Sequence, residues 1–464
     1  MFEGPGSYLT EYEAPITGYG RALILLGALL AVAGFFSPSE IQAYLLSIGM
    51  AIIIVVIMLR QYFALKASIL DSLEVKHELE QPLIEGKEAK VRLRIVNKSP
   101  ILIERLDVID NPPRLFKIPA GVAPRAVVFL PVGGEAVIEY RVRLVMGEHE
   151  WGETRLILED PLGLFRAERI VKTGLRVRVQ PRPLGLPRRI MISIATALPT
   201  GVSKTGRKGS GTEFHSVREY MPGDDIRLVD WKAYARLRKL MVKEFEQEVS
   251  LYAIIVLDVT PTMIYGVVGE TKLEYSMRLA ASLATYFASR GDYYTLLVAG
   301  TQGEASATPW LRGRKTSIIA LRRLAAVKWP SLDEASRVSY EDRVKSISKT
   351  LTSILPREKT IVMLLTDFHE DPEAAKAYAE RLSRLIRLRH EVIAVTPLTT
   401  LFEVRALGKG IDAAIYRLLA FERIKQYRDM FRILRSQGIK VLAAGPTDLL
   451  SMILSRLEAY RRMG

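Results

Sequence analysis

No cysteine occurs among the 464 residues, which excludes disulfides, thiolate metal sites and thiol redox chemistry. Histidine is scarce too. The five present, His77, His149, His215, His369 and His390, show no spacing that would assemble zinc. A nucleotide-binding P-loop is also missing. The phrase GVSKTGRK at Gly201–Lys208 runs on into Gly209, where the motif needs lysine followed by serine or threonine, and no buried strand precedes it. Negative charge is in short supply: 66 Lys and Arg against 51 Asp and Glu leave +15. That excess would suit nucleic acid or anionic lipid. The basic residues are scattered, with local runs such as 381–389, and form no nucleic-acid reading module, so lipid headgroups are the expected partner and nucleic acid is not.

What is present begins with two apolar runs. Arg21–Phe36 reads RALILLGALLAVAGFF, a Ser37-Pro38-Ser39-Glu40 turn follows, and Ile41–Leu59 is apolar again. Spans of about 20 apolar residues cross a bilayer, so residues 1–65 are expected to form a transmembrane helical hairpin, with a cleaved signal peptide as the alternative for the first run. Arg60 and Lys66 follow the second span while the turn carries no Lys or Arg. The positive-inside rule therefore places both ends, and the soluble domains, in the cytoplasm of a multi-pass membrane protein.

Residues 70–180 alternate apolar and polar side chains, as in AKVRLRIVN, AVIEYRVRLV and TRLILED, between turns such as Asn111-Pro112-Pro113 and Gly133-Gly134. Period two with such turns predicts an antiparallel β-sandwich. Residues 181–250 form a connecting segment, whose polar, Gly-rich start MISIATALPTGVSKTGRKGSGTE reads as a mobile loop. From residue 251 to 464 strands and helices alternate. The strands fall at Leu251–Leu257, Thr295–Ala299, Thr360–Thr366, Glu391–Val395 and Lys440–Ala443. Helices are expected near Lys272–Arg290, Pro372–Arg389, Phe421–Gln437 and Thr447–Arg462, with two more at Ser317–Val327 and Arg337–Leu355 in an insertion. This order predicts a doubly wound, Rossmann-type α/β sheet.

The candidate chemistry sits at two strand ends. LYAIIVLDVTPTM places Asp258 after a seven-residue apolar run and hydroxyls at Thr260 and Thr262; IVMLLTDFHED places Asp367 after a second run. Carboxyl ends of parallel strands are where such folds build sites. Hard oxygens of this kind suit Mg²⁺, or Mn²⁺ or Ca²⁺ in its place. An aspartate after a strand equally serves as the N-cap of the next helix. Asp-x-Thr-x-Thr followed later by Thr-Asp resembles the metal-ion-dependent adhesion site of von Willebrand factor A domains, whose serines are replaced here by threonine. The further threonine of that site has Thr316 and Thr308 as candidates.

A wider resemblance rests on Gly211–Phe245, GTEFHSVREYMPGDDIRLVDWKAYARLRKLMVKEF. Its Arg218, Tyr220, Pro222, Gly223, Asp224, Asp225, Arg227, Asp230, Trp231, Ala235, Arg236, Lys243 and Phe245 resemble the signature of the DUF58 family, membrane-associated proteins with a von Willebrand A-like domain. DPLGLFR at Asp160–Arg166 is a second matching phrase. Pro222-Gly223-Asp224-Asp225 reads as a turn, the alternating Arg and Asp as a charge network, and Trp231 as a flat face for a guanidinium. The block either clamps the segment to the sheet domain or meets a partner.

The resemblance implies a metal-dependent interaction scaffold that grips an acidic residue of a protein ligand and works with a MoxR-type AAA+ ATPase in assembling or activating other proteins. An enzyme is not expected. A haloacid-dehalogenase phosphatase is the competing class, but its general acid two residues after the first aspartate is Thr260 here, which cannot donate a proton as a carboxyl would. An extracellular adhesion protein is the alternative if the orientation is reversed.

Overall fold

The computed structural model describes residues 16–120, 124–185, 203–266, 269–330, 339–398, 411–445 and 448–463. It divides into two compact units, one of Met1–Val145 and His149–Val177, the other of Met146–Glu148 and Arg178–Gly464.

The first unit opens with α1 (Gly18–Phe35) and α2 (Ser39–Ala67). Both are long and apolar enough to cross a membrane. Buried residues recur every seven positions, Gly20, Gly27 and Gly34 in α1 and Gly49, Val56 and Phe63 in α2; Gly27, Gly34 and Gly49 form the close contact between the helices, while Gly20 lies against Ile16 and Leu164. Small residues let the two backbones approach closely. A Cβ on Gly49 would stand 2.5 Å from the Gly27 carbonyl oxygen and 2.6 Å from the Ala31 nitrogen.

Nine strands follow: β1 (Leu73–Leu79), β2 (Glu88–Asn97), β3 (Ile103–Asp110), β4 (Arg125–Leu130), β5 (Glu135–Arg143), β6 (Gly147–Glu150), β7 (Glu153–Glu159), β8 (Arg166–Lys172) and β9 (Arg176–Val179). Seven of them form antiparallel sheets ordered β1-β2-β5 and β4-β3-β7-β8, while β6 and β9, whose residues are divided between the two units, pair with each other. Alternation places Leu93, Ile95 and Ile138 of one sheet and Leu106, Val108, Leu156 and Leu158 of the other in a single core. The far end of α2 enters that core through Val56, Phe63 and Ala67. The second apolar helix is therefore longer than its expected span, because its last turns pack against the strands of this unit.

DPLGLFR is the turn joining β7 to β8, and it holds the start of the hairpin. Asp160 closes the turn by accepting from the Phe165 and Leu162 amides, at 2.6 and 3.1 Å. The carbonyls of Gly163 and Leu164 then receive the Thr17 hydroxyl at 2.6 Å and the Thr17 amide at 2.9 Å. Thr17 is in turn the N-cap of α1. Phe165 stacks on Phe63 of α2, ring centroids 5.8 Å apart.

In the second unit, β10 (Ser203–Glu219) pairs antiparallel with β11 (Met241–Val249), and α3 (Trp231–Leu237) lies between them in the chain. This corrects the expected loop: from Ser203 onward the polar, Gly-rich stretch is strand, accommodated by register shifts in the ladder. The part of that expected loop at 191–202 lies outside the described residues.

A six-stranded sheet is built from β12 (Tyr252–Asp258), β13 (Tyr293–Ala299), β14 (Ala305–Ala307), β15 (Thr360–Leu365), β16 (Glu391–Pro397) and β17 (Lys440–Ala444). Its order is β14-β13-β12-β15-β16-β17. All pairs are parallel except β13 with β14. The short antiparallel edge strand adds to the expected set, since ASA has neither length nor β-branching to announce it. Helices α4 (Lys272–Arg290), α5 (Ser317–Ala325), α6 (Tyr340–Ile354), α7 (Pro372–Arg387), α8 (Ile411–Ser436) and α9 (Leu449–Met463) complete the unit. α4 coincides with its expected span, bounded by a Thr271–Glu274 capping box and by Gly291 in the left-handed region. α8 begins ten residues before its expected start at Phe421.

β12 explains its own apolar run. Ala253, Ile255 and Leu257 face a core with Leu279, Leu283 and Phe287 of α4 and Ile453 of α9. Ile254 and Val256 face a second core with Ile347 of α6, Tyr378 and Leu382 of α7 and Met430 of α8. Each fully buried aliphatic side chain contributes about 1.5–3 kcal/mol, so the central strand is anchored from both faces. Its last residue, Asp258, pairs in register with Ala299.

Candidate functional site

The chain leaves β12 at Asp258, and Thr260 then caps a short 3-10 turn over Pro261–Ile264. It leaves the neighbouring β15 at Leu365 and reaches Asp367 two residues on. The two loops meet. Asp367 Oδ1 accepts the Thr260 hydroxyl at 2.7 Å, the Thr262 hydroxyl at 3.0 Å and the His369 amide at 3.2 Å. The two threonine hydroxyls lie 3.1 Å apart. Asp258 Oδ2 accepts from Thr366 at 3.1 Å and from the Tyr378 hydroxyl. Asp258, Thr260, Thr262 and Asp367 are thus brought together. Thr316 and Thr308 bond elsewhere: Thr316 to the Gly313 carbonyl and the Tyr294 hydroxyl, Thr308 to Thr295 and the Leu296 amide.

Two cations that local spacing did not single out complete the cluster. Arg343 of α6, 1% exposed, donates to Asp258 Oδ1 at 3.1 Å and to the carbonyls of Gly300 and Thr301 at 2.8 and 2.9 Å. Lys272, the first residue of α4, donates to Asp367 Oδ2 at 3.0 Å and to Glu370 Oε1. Glu370 also accepts the Tyr427 hydroxyl at 3.0 Å. Burial by itself would raise the Asp367 carboxyl, but the Lys272 ammonium and the threonine hydroxyls more than offset it, and the group lies below its ordinary range. Burial would lower Lys272, and Asp367, with Tyr427 and Glu370, instead pushes it above its usual value. Tyr378, buried against Asp258, is held neutral.

The loop after Asp367 is unusual in backbone terms. Phe368, His369 and Glu370 all have positive φ, at 54, 57 and 54°. Left-handed conformation costs a residue with a Cβ roughly 1–2 kcal/mol. The excursion turns the chain back so that Glu370 reaches Lys272.

A divalent ion needs carboxylate oxygens free to face it. Here each oxygen of Asp258 and Asp367 already accepts from a protein donor, and Asp367 and Glu370 share an ammonium. The donor set as arranged does not fit Mg²⁺ unless Lys272 withdraws. Among the described residues no group of three or more His, Asp or Glu side chains is placed to hold a metal.

In the block at 218–243, Arg218 grips Asp224 with two bonds of 2.6 Å, and Asp224 also accepts the Met221 amide at 2.8 Å. The Arg218 guanidinium and that amide hold the Asp224 carboxyl at about 2. Asp225 and Asp230 act as caps: Asp225 accepts from the Arg227 amide, and Asp230 accepts from the Lys232 and Ala233 amides while also pairing with Lys243 at 3.9 Å. Trp231 meets Tyr234 edge-on with ring centroids 6.2 Å apart, and among the described residues no guanidinium lies over its ring. Val229, Ala233 and Val242 are buried beneath the block, while Met221, Ile226, Trp231 and Leu237 are each more than half exposed.

The architecture defines a protein with two membrane-competent helices, an antiparallel two-sheet unit and an α/β unit carrying a buried, charge-paired strand-end site. Residues 216–400 match the family model described as "Protein of unknown function DUF58". An uncharacterized protein of Mycobacterium tuberculosis and one of Mycobacterium bovis are each 25% identical over 188 residues, 40% of this chain and 55% of theirs. The chain thus spans about half the length of the curated relatives it matches. Among solved structures, a β-glucuronidase of Bacteroides uniformis aligns with 81% of this chain and 33% of its own at 9% identity and a TM-score of 0.18. A GH20 exo-β-N-acetylglucosaminidase of Vibrio harveyi aligns at 9% identity, 80% and 75% coverage and a TM-score of 0.24. Likeness at that level carries no argument.

Proposed function

We propose that this chain is a membrane-anchored protein-interaction scaffold whose α/β unit is a von Willebrand A-like, Rossmann-type domain, working with a MoxR-type AAA+ ATPase in the assembly or activation of other proteins. The domain reading is supported by a sheet ordered 3-2-1-4-5-6 with one antiparallel edge strand, and by the meeting of Asp-x-Thr-x-Thr with Thr-Asp at adjacent strand ends. The ATPase enters through the DUF58 resemblance of residues 216–400.

The observation that carries the scaffold reading is the set of exposed apolar side chains Met221, Ile226, Trp231 and Leu237, carried on a block whose backbone is pinned by Arg218–Asp224 and by the Asp225 and Asp230 caps. Large apolar side chains held exposed on a stiffened frame are what protein partners use as anchors. The hairpin crosses the membrane and returns, its basic flank Arg60 and Lys66 resting on anionic headgroups at the cytoplasmic face.

Affinity capture with the full chain from detergent-solubilised native membranes tests this. Recovery of an AAA+ ATPase is expected. Its absence, together with Mg²⁺-dependent turnover of a phosphate ester lost in Asp258→Asn, would replace the scaffold by a phosphatase.

A further inference from the structure

We infer that Lys272 is a resident cation of the strand-end site: its ammonium occupies the place between Asp367 and Glu370 that a divalent ion would take, so the site works without a metal. The inference rests on the reading of this site as von Willebrand A-like. It changes what that site requires.

Three observations converge. Lys272 is only 2% exposed, yet lysine is almost never buried without a partner. Its position is set by backbone, since it is the first residue of α4, directly after the N-cap Thr271 and inside the Thr271–Glu274 capping box. The carboxylates come to it: Asp367 from the end of β15, and Glu370 through three consecutive left-handed residues. Backbone strain of that kind persists where surrounding contacts over-determine it, and the contact it delivers is the one between Glu370 and Lys272. Arg343 meanwhile serves the other carboxylate, Asp258, and two carbonyls beside it.

Each carboxylate of the cluster has a cationic partner, with Lys272 shared between two of them, so that two cations answer three carboxylates. Asp258, Asp367 and Glu370 face Arg343 and Lys272. A divalent ion on Asp367 would meet a buried ammonium at contact distance, and like charges repel most strongly where water is excluded. The hydroxyls of Thr260 and Thr262, which would otherwise turn towards an ion, donate to Asp367. Partner capture by this domain is then insensitive to chelators, and an acidic ligand is not held through a bridging metal.

The test is Mn²⁺ titration of the full chain in detergent, by calorimetry and by Mn²⁺ electron paramagnetic resonance, beside Lys272→Ser, Lys272→Arg and Asp367→Asn. Wild type is expected to show no saturable Mn²⁺ site that depends on Asp367, and no change of melting temperature with EDTA. Lys272→Ser is expected to acquire an Asp367-dependent site, with at least a tenfold gain in Mn²⁺ affinity, while Lys272→Arg stays silent. Should Lys272→Ser not fold, the wild-type titration decides alone. Saturable wild-type binding abolished by Asp367→Asn overturns the inference; binding that survives Asp367→Asn lies elsewhere and leaves it standing. Capture of the ATPase with and without EDTA separates the two readings. Mn²⁺ silence with no partner recovered sinks the scaffold alone, and Asp367-dependent Mn²⁺ binding with EDTA-sensitive capture sinks the resident cation alone.

Discussion

The hydroxyl of Thr260 donates to Asp367 Oδ1 across 2.7 Å, joining residues 107 positions apart at the ends of two neighbouring parallel strands. Both residues are wholly buried. A hydrogen bond to a charged group under such conditions is worth about 1.5–3 kcal/mol, and losing one partner leaves the other underserved. Thr260→Val, isosteric but without the oxygen, is therefore expected to lower stability by about 1.5–3 kcal/mol, whereas Thr260→Ser stays within about 1 kcal/mol. Denaturant titration of the detergent-solubilised chain measures both. Equal midpoints for Thr260→Val and wild type would show that the two loops are held by other contacts.

Lys272 carries a larger share. Removing one partner of a buried pair costs about 3–5 kcal/mol, so Lys272→Met is expected to be strongly destabilised at pH 7. The pH dependence gives the sign. In wild type the Asp367 carboxyl is held below its ordinary value, so its contribution is complete above an unfolded pKa of about 3.9 and is lost as pH falls through the lower folded value. The Lys272 ammonium is raised, so its contribution is complete below about 10.4 and is lost only as pH rises through the higher folded value. In Lys272→Met burial acts on Asp367 without the ammonium and drives its pKa upward, so protonation relieves the variant. The deficit against wild type should shrink between pH 7 and pH 5. A deficit that stays constant over that range would falsify the pairing.

The fold was legible where periodicity is local. The run before Asp258 is apolar at every position because β12 is covered on both faces, and that is visible in a single line of sequence. The alternation in Glu88–Asn97 likewise reports one inward face. Asp258, Thr260, Thr262 and Asp367 were readable because parallel strands deliver their C-terminal loops to one edge of the sheet. Lys272, Arg343 and Glu370 were not. Each is paired over a long sequence distance or through an irregular backbone, and a lysine opening an amphipathic helix looks like any solvated charge. The same limit hid Gly27 and Gly49, which matter only once α1 and α2 are laid against each other, and it made a bulged strand at 203–219 look like loop.

Orientation is accessible because the chain lacks cysteine and labels without background. Ser39→Cys lies at the start of α2, between the two spans, and Lys172→Cys lies on an exposed side chain at the end of β8. In intact cells a membrane-impermeant maleimide should label Ser39→Cys and leave Lys172→Cys untouched until the membrane is permeabilised. Labelling of Lys172→Cys in intact cells reverses the topology, and an extracellular adhesion role then becomes the better reading.

The exposed apolar side chains of the 218–243 block, a row along the sequence, make a separable prediction. Trp231 is 60% exposed and touches Tyr234 edge-on, so truncating it removes little of the chain's own packing. Trp231→Ala is expected to leave stability within about 0.5 kcal/mol of wild type, as surface changes usually do. If the row is the surface a partner covers, the same change should weaken capture by more than about 1 kcal/mol, since a buried tryptophan is a typical anchor of such interfaces. Arg218→Ala offers the contrast: it frees Asp224 and loosens the turn beneath the row, and so should lower both capture and local protection from hydrogen exchange. Undiminished capture by Trp231→Ala, at wild-type stability, would move the partner surface away from this block and restrict its role to clamping the segment.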